Sequence, residues 1–345
     1  MFSVETLRKD ESVVVRALDR ETGKELWRTA WSSRGDVPFF ARDNGDWVRS
    51  TPAVDSEMLY VGDMLEVLRA IDVESGDVRW ILDFPQEFEM DVPDFGFASS
   101  PLLAGDHLYL QAANSLVKVD RNTGEVVWRA LQGATGMTSS GAFSSPILAE
   151  LAGRSQIVVL TRQKLHGVDP DSGDLLWSHP IPNFRGMNIV TPVVIGDSVF
   201  TSPYKNGSFM LTVREVEGTF SVEESWTYKG WAYMSSPIVL DDHLYVHLGN
   251  QRLDCIDVAT GRSKWRSSDR FGKYWSMAHR GGRILALDSG GELLLMQANS
   301  EELELLDTRK VSDEETWGHL AVSGDELFVR ELEGLSAYRW SSTGG

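Results

Sequence analysis

His243 and His247, in "HLYVH", are the two side chains whose types and spacing come closest to a metal pair. On a helix that spacing would put both imidazoles on one face, ready to share a zinc ion. The segment instead alternates apolar and polar residues like a strand, where four residues span about 13 Å, too far for one ion. The other histidines (His107, His166, His179, His279 and His319) are scattered along the chain. Cys255 is the single cysteine, which excludes an intramolecular disulfide and any multi-cysteine metal site. Asp-rich turns recur, but none carries the run of alternating oxygen ligands that a calcium loop needs. G-x-S-x-G, H-E-x-x-H, Walker-type and dinucleotide glycine motifs are all absent. No catalytic residue and no metal ligand is assigned.

The residues that do concentrate are aromatic, and they fall in the long connections. "DFPQEFEMDVPDFGFASSP", "PIPNFRGMNIVTP", "YKGWAYMSSP" and "SDRFGKYWSM" are examples. Connections are ordinarily polar, so rings gathered there suit a binding surface, with large contact area at little entropy. The candidate binding residues are Trp47, Arg49, Phe95, Phe97, Phe143, Arg185, Met187, Trp231, Tyr233, Tyr274, Trp275 and Trp317. Phe39, Phe40 and Met137 belong to the same loops. Mutual packing of these rings at a channel mouth is the plain alternative. Arg34, Arg42, Arg49, Arg185 and Lys273 are expected to pair with Asp36, Asp43, Asp46 or Asp94, although an anionic ligand would suit them too.

The elements that must hold these loops are written in a repeat. D-x-x-T/S-G-x-x-x-W occurs five times: Asp19, Gly23 and Trp27; Asp72, Gly76 and Trp80; Asp120, Gly124 and Trp128; Asp169, Gly173 and Trp177; Asp257, Gly261 and Trp265. Ser or Thr before Pro opens an apolar strand at Pro52, Pro101, Pro146, Pro192 and Pro237, so the period is roughly 45 residues. Within a period, four short alternating segments are separated by Gly, Asp or Asn, which reads as antiparallel hairpins. The Asp is expected to cap a tight turn and the Gly to supply positive φ. The Trp is expected to bury about 150–250 Å² between neighbouring sheets. Repeats five and seven lack the full motif and are expected to hold by alternation alone.

Four-stranded sheets at this period predict an all-β fold, an eight-bladed β-propeller of antiparallel blades with incomplete terminal blades. Seven blades fit less well, because the first and last repeats together contain six strands. The predicted units within a single domain, 1–345, are about 1–31, 50–83, 98–131, 143–179, 189–228, 235–268, 275–311 and 317–340. A preceding segment is expected to supply the closing outer strand, the first inner strand and an export signal.

This repeat, with S/T-P opening each blade, resembles the pyrroloquinoline-quinone-like propeller family. That family includes quinoprotein alcohol dehydrogenases and non-catalytic assembly scaffolds of the bacterial cell envelope. The resemblance covers essentially the whole chain and implies eight blades and, commonly, export to the periplasm or envelope. It does not imply a cofactor, since the repeat is architectural. The dehydrogenases hold quinone with an adjacent Cys pair, a calcium carboxylate cluster and a catalytic Asp. With one Cys the first element is missing here, so neither pyrroloquinoline quinone nor calcium is expected.

Bulk composition agrees with a binding module. A formal charge of −18, spread along the chain, disfavours nucleic acid and anionic membrane surfaces. No apolar run approaches the ~20 residues of a membrane span, and the first residues do not read as a signal peptide. The expected function is a non-catalytic scaffold that binds a protein or an extended ligand through the aromatic loops. The alternative is a quinone-dependent oxidoreductase, or a small-ligand or sugar sensor, using the same funnel.

Overall fold

The computed structural model describes residues 1–33, 35, 37, 47–133, 135–136 and 139–340, apart from the Arg8 side chain. Among the described residues eight antiparallel sheets follow one another, six with four strands and the first and last with three. They are the blades of a β-propeller fold. The third is representative: Leu102–Ala104, His107–Ala112, Ser115–Asp120 and Val126–Ala130, each paired with the next. The first sheet holds Phe2–Leu7, Ser12–Leu18 and Glu25–Ser32, and the eighth Ala321–Ser323, Glu326–Arg330 and Leu335–Arg339. The only α-helix among the described residues is the five-residue Phe84–Phe88, capped by Asp83 accepting from the Gln86 amide. Two compact units divide the chain, Met1–Pro192 with Val213–Val222, and Val193–Thr212 with Glu223–Gly345.

Burial follows strand position. The middle strands, such as His107–Ala112 and Ser115–Asp120, are buried almost throughout, because both of their faces are covered. Fourth strands such as Val78–Asp83 are largely exposed or half-buried. The core of the first unit gathers Tyr60, Leu68, Phe84, Leu108, Leu110 and Val117. In the second unit Tyr245, Leu253, Cys255, Ile284 and Leu294 pack together.

Each Asp of the motif spends its carboxylate on its own turn. Asp72 Oδ1 accepts from the Glu74 and Ser75 amides at 3.0 and 2.8 Å, and its carbonyl accepts from the Gly76 amide at 2.9 Å. Asp120, Asp169 and Asp257 do the same for Thr123, Ser172 and Thr260. These bonds, with the Arg79 guanidinium first in the case of Asp72, hold the carboxyls below the usual carboxylate range. The strand pairing shifts by one residue beside each turn, as between Lys118 and Val119, which is the bulge such a loop requires.

The motif Trp reaches the next blade. Trp27, Trp80 and Trp128 donate their indole N–H to the carbonyls of Val73, Arg121 and Pro170, the residues just after the next motif's Asp. Trp226 does so to Val258 and Trp265 to Asn299. Repeats five and seven therefore do not hold by alternation alone. The fifth contributes the Trp226 donor although its Asp turn is replaced by a tight Glu217-Gly218 turn, with both residues at positive φ. The seventh contributes the Asn299 acceptor without a Gly. Trp177 is the exception among the motif tryptophans. It turns into its own sheet, where its N–H meets Gln156 Oε1 at 2.6 Å and its ring covers Gly167.

Candidate functional site

The predicted loop residues lie in the connections that lead from a fourth strand to the first strand of the next sheet. In the second unit five rings form a continuous ladder, Trp231–Tyr204–Tyr233–Tyr274–Trp317. Successive centroids are 4.8, 5.2, 5.7 and 5.0 Å apart. The Tyr233–Tyr274 step is stacked, and the Trp231–Tyr204 step is edge-on. Trp231, Tyr204, Tyr233 and Trp317 are half-buried, so each ring rests on the protein and keeps accessible surface.

The backbone beneath these rings is tied down. The Gly249 amide donates to the Trp231 carbonyl at 2.8 Å, and a Cβ on Gly249 would collide with the Trp231 ring. Ser202 Oγ accepts from the Ala232 amide at 2.7 Å. The Tyr274 carbonyl accepts from the Ser289 amide at 2.8 Å, and the Tyr274 amide donates to Ser289 Oγ at 3.3 Å. The rings are thus presented on a pinned backbone, which limits the entropy lost when they are covered. Lys273 Nζ lies 5.6 and 5.0 Å from the Tyr233 and Tyr274 centroids, and Lys205 Nζ 5.1 Å from that of Tyr204. Burial, then the neighbouring Tyr274 phenol, pushes the Tyr233 hydroxyl up to about 12, so it remains a neutral donor at physiological pH.

Tyr204 belongs to this group and is missed by sequence reading, because it sits in a turn between second and third strands. The signal was present in "SPYKNG", an aromatic beside a tight turn. Three predicted surface rings are buried: Tyr274 is 9% exposed within the ladder, and two others belong to the core. Phe97 is 1% exposed, edge-on to Phe84, and fills the space that Gly62 leaves by lacking a Cβ. Trp275 is 3% exposed and packs against His247 and Phe271. Both lie where a loop enters the first strand of a sheet, and there the ring turns inward.

A second cluster lies in the first unit. Phe95 meets Phe143 edge-on at 5.2 Å, and the Arg162 guanidinium sits 4.5 Å from the Phe143 centroid. Arg162 donates to the carbonyls of Gly186, Ser140 and Arg185, tying two connections together, and burial lowers its pKa to about 10. Arg185 is exposed over Phe184, and Met187 is half-buried with its amide bonded to the Phe184 carbonyl. Trp47 and Arg49 are half-buried beside Val48, whose amide donates to Thr6 Oγ1. Arg34, Asp36, Phe39, Phe40, Arg42, Asp43, Asp46 and Met137 lie outside the described residues.

His243 and His247 do not converge. His243 is bonded to the Asp241 carbonyl, while His247 is wholly buried with Nδ1 3.3 Å from Ser235 Oγ. Among the described residues no group of three or more His, Cys, Asp or Glu could hold a metal ion. Cys255 is buried in the core of its sheet.

The family model described as outer membrane protein assembly factor BamB matches residues 10–267. The chain belongs to that family. BamB of Yersinia pestis is 21% identical over 269 residues, covering 75% of this chain and 63% of that protein. BamB of Shewanella oneidensis is 22% identical over 268 residues, 73% of this chain and 61% of that one. A serine/threonine-protein kinase, AfsK of Streptomyces griseus, is 35% identical over 119 residues, 33% of this chain and 13% of the kinase. The chain thus spans less than two thirds of the length of these curated relatives. Among solved structures, BamB from Moraxella catarrhalis superposes with a TM-score of 0.67 at 13% identity, covering 99% of this chain and 92% of that one. The computationally designed Ika8 protein superposes with a TM-score of 0.57 at 11% identity, over 84% of this chain and 82% of the design. At such identities the structures establish the shared fold. No helix among the described residues is long and apolar enough to cross a membrane.

Proposed function

We propose that this chain is a non-catalytic scaffold of the cell envelope that serves outer-membrane protein assembly and takes a protein partner on its aromatic loops. Membership of the BamB family supports the class of work. The observation that carries the binding reading is the ring ladder from Trp231 to Trp317, set on pinned backbone and joined by Lys205 and Lys273. An extended partner segment would lie along it, its side chains on the rings and its backbone within reach of the tyrosine hydroxyls.

A photo-reactive phenylalanine analogue placed at Tyr233, in cells of the native host, tests this. A discrete adduct with an envelope protein is expected, lost when Trp231 and Tyr204 are both changed to Ala. The same analogue at Leu26, an exposed strand position, should give none. Equal adducts at both positions, or an adduct indifferent to the double change, would overturn the reading.

A further inference from the structure

The charges around the ring ladder run against those of the whole chain. The protein carries 51 Asp and Glu against 33 Lys and Arg. Three segments of the second unit hold the rings from Trp231 to Tyr274: the 202–207 turn and the 229–237 and 267–274 connections. Together they contain Lys205, Lys229, Arg270 and Lys273, and their only carboxylate side chain is Asp269.

These cations stand where a covering molecule would meet them. All four are exposed. Lys273 Nζ rests against the Tyr233 and Tyr274 rings, and Lys205 Nζ against the Tyr204 ring. The Lys229 backbone lies beside the Lys205 turn, since a Cβ on Gly207 would stand 3.9 Å from Lys229 Cα. Lys229, Arg270 and Lys273 form no ion pair among the described residues.

The buried carboxylates that touch these segments are spent on the fold. Asp254 pairs with Arg266 and accepts from the Tyr228 hydroxyl. Asp288 accepts from the Gly272, Gly290 and Glu292 amides. Beyond Tyr274 the sign reverses, because Asp313, Glu314 and Glu315 stand exposed ahead of Trp317.

We propose that the extended segment taken by this ladder is acidic, with its carboxylates over Lys205, Lys229 and Lys273 and none over Trp317. The inference rests on the reading of the ladder as a binding surface. Apolar side chains of the segment lie on the rings, and the exposed ammonium groups select the charge carried between them. Ion pairs at such a rim act mainly on selectivity and on the rate of capture, so the interaction weakens as salt rises.

Fluorescence anisotropy of a fluorescein-labelled peptide of repeated Glu-Pro-Leu, mixed with the intact protein, tests this. Its prolines keep the probe extended. Saturable binding is expected, weakened at least about fivefold when Gln replaces Glu in the peptide, or when Lys229→Glu and Lys273→Glu are combined. Both lysines are exposed, so that variant should melt like the parent. Asp313→Asn with Glu315→Gln should leave the affinity equal or raise it. Trp231→Ala with Tyr204→Ala should abolish binding of either peptide. A neutral peptide held as tightly as the acidic one, or binding indifferent to the lysine changes, would overturn the acidic assignment and leave the ladder standing. Binding indifferent to the loss of the rings would overturn the ladder reading with it, and no binding of the acidic peptide would overturn the proposal.

Discussion

Trp80 and Gly124, in adjacent blades, form a single interlock. The indole N–H of Trp80 donates to the Arg121 carbonyl at 2.9 Å, and its ring occupies the space a Cβ on Gly124 would need, 2.7 Å from Cε3. Gly124 must lack a side chain for two reasons at once, its φ of +78° and the ring above it. Trp27 over Gly76, Trp128 over Gly173 and Trp226 over Gly261 repeat the arrangement. The pairing explains why Gly and Trp recur together in the sequence although they never meet within one copy.

Gly124→Ala should therefore cost about 2–4 kcal/mol, combining backbone strain with overpacking against the ring. Gly105 supplies the control, since it has a φ of +58° but nothing within 4 Å of its Cβ position. Gly105→Ala should cost only about 1 kcal/mol. Urea unfolding of the two variants measures the difference, and equal losses would mean that the ring contact contributes nothing.

Replacing tryptophan by phenylalanine separates the two kinds of motif Trp. Trp80→Phe gives up one hydrogen bond to a half-buried turn carbonyl and should lose about 1 kcal/mol. Trp177→Phe strands the wholly buried Gln156 Oε1 and should lose about 2–3 kcal/mol. Thermal melts compared at one pH would show the ranking, and a larger loss at Trp80 would contradict it.

Glu66 should make the fold pH-sensitive. Its buried carboxyl accepts from the Ala113 amide at 2.8 Å, yet desolvation outweighs that bond and raises its pKa from 4.5 to about 7. A raised carboxyl pKa means that the folded state holds the proton more tightly. This contribution to stability is fully present below pH 4.5 and is lost as pH rises to about 7, by roughly 3 kcal/mol in all. Glu66→Gln should therefore be more stable than the parent at pH 8 and nearly equal to it at pH 4.5. Denaturant midpoints at the two pH values test this, and a constant difference would refute it.

The acid limb should come from His166 and His247. Burial lowers both to about 4 from 6.5, with the Lys164 charge adding at His166. The unfolded chain then binds the protons more readily, so this contribution is present above pH 6.5 and lost as pH falls towards 4. His247→Asn should flatten the decline between pH 6.5 and 4, read as melting temperature against pH. An unaltered slope would place the acid sensitivity elsewhere.

The sequence by itself determined the repeat, the all-β class and the eight blades, because each rests on local chemistry. An Asp turn, a positive-φ Gly and alternating strands are specified within about eleven residues. The aromatic character of the connections was equally plain. What it left open was where each ring goes. Phe97 and Trp275 sit in the same kinds of loop as Trp231 and Tyr233, yet they turn into the core. That choice depends on residues distant in sequence, such as the missing Cβ of Gly62 beneath Phe97 and of Gly249 beneath Trp231. Tyr204 joins the ladder, and Trp226 locks to Gly261, for the same reason. Only the tertiary structure brings those partners together, since side-chain packing is a property of space rather than of spacing.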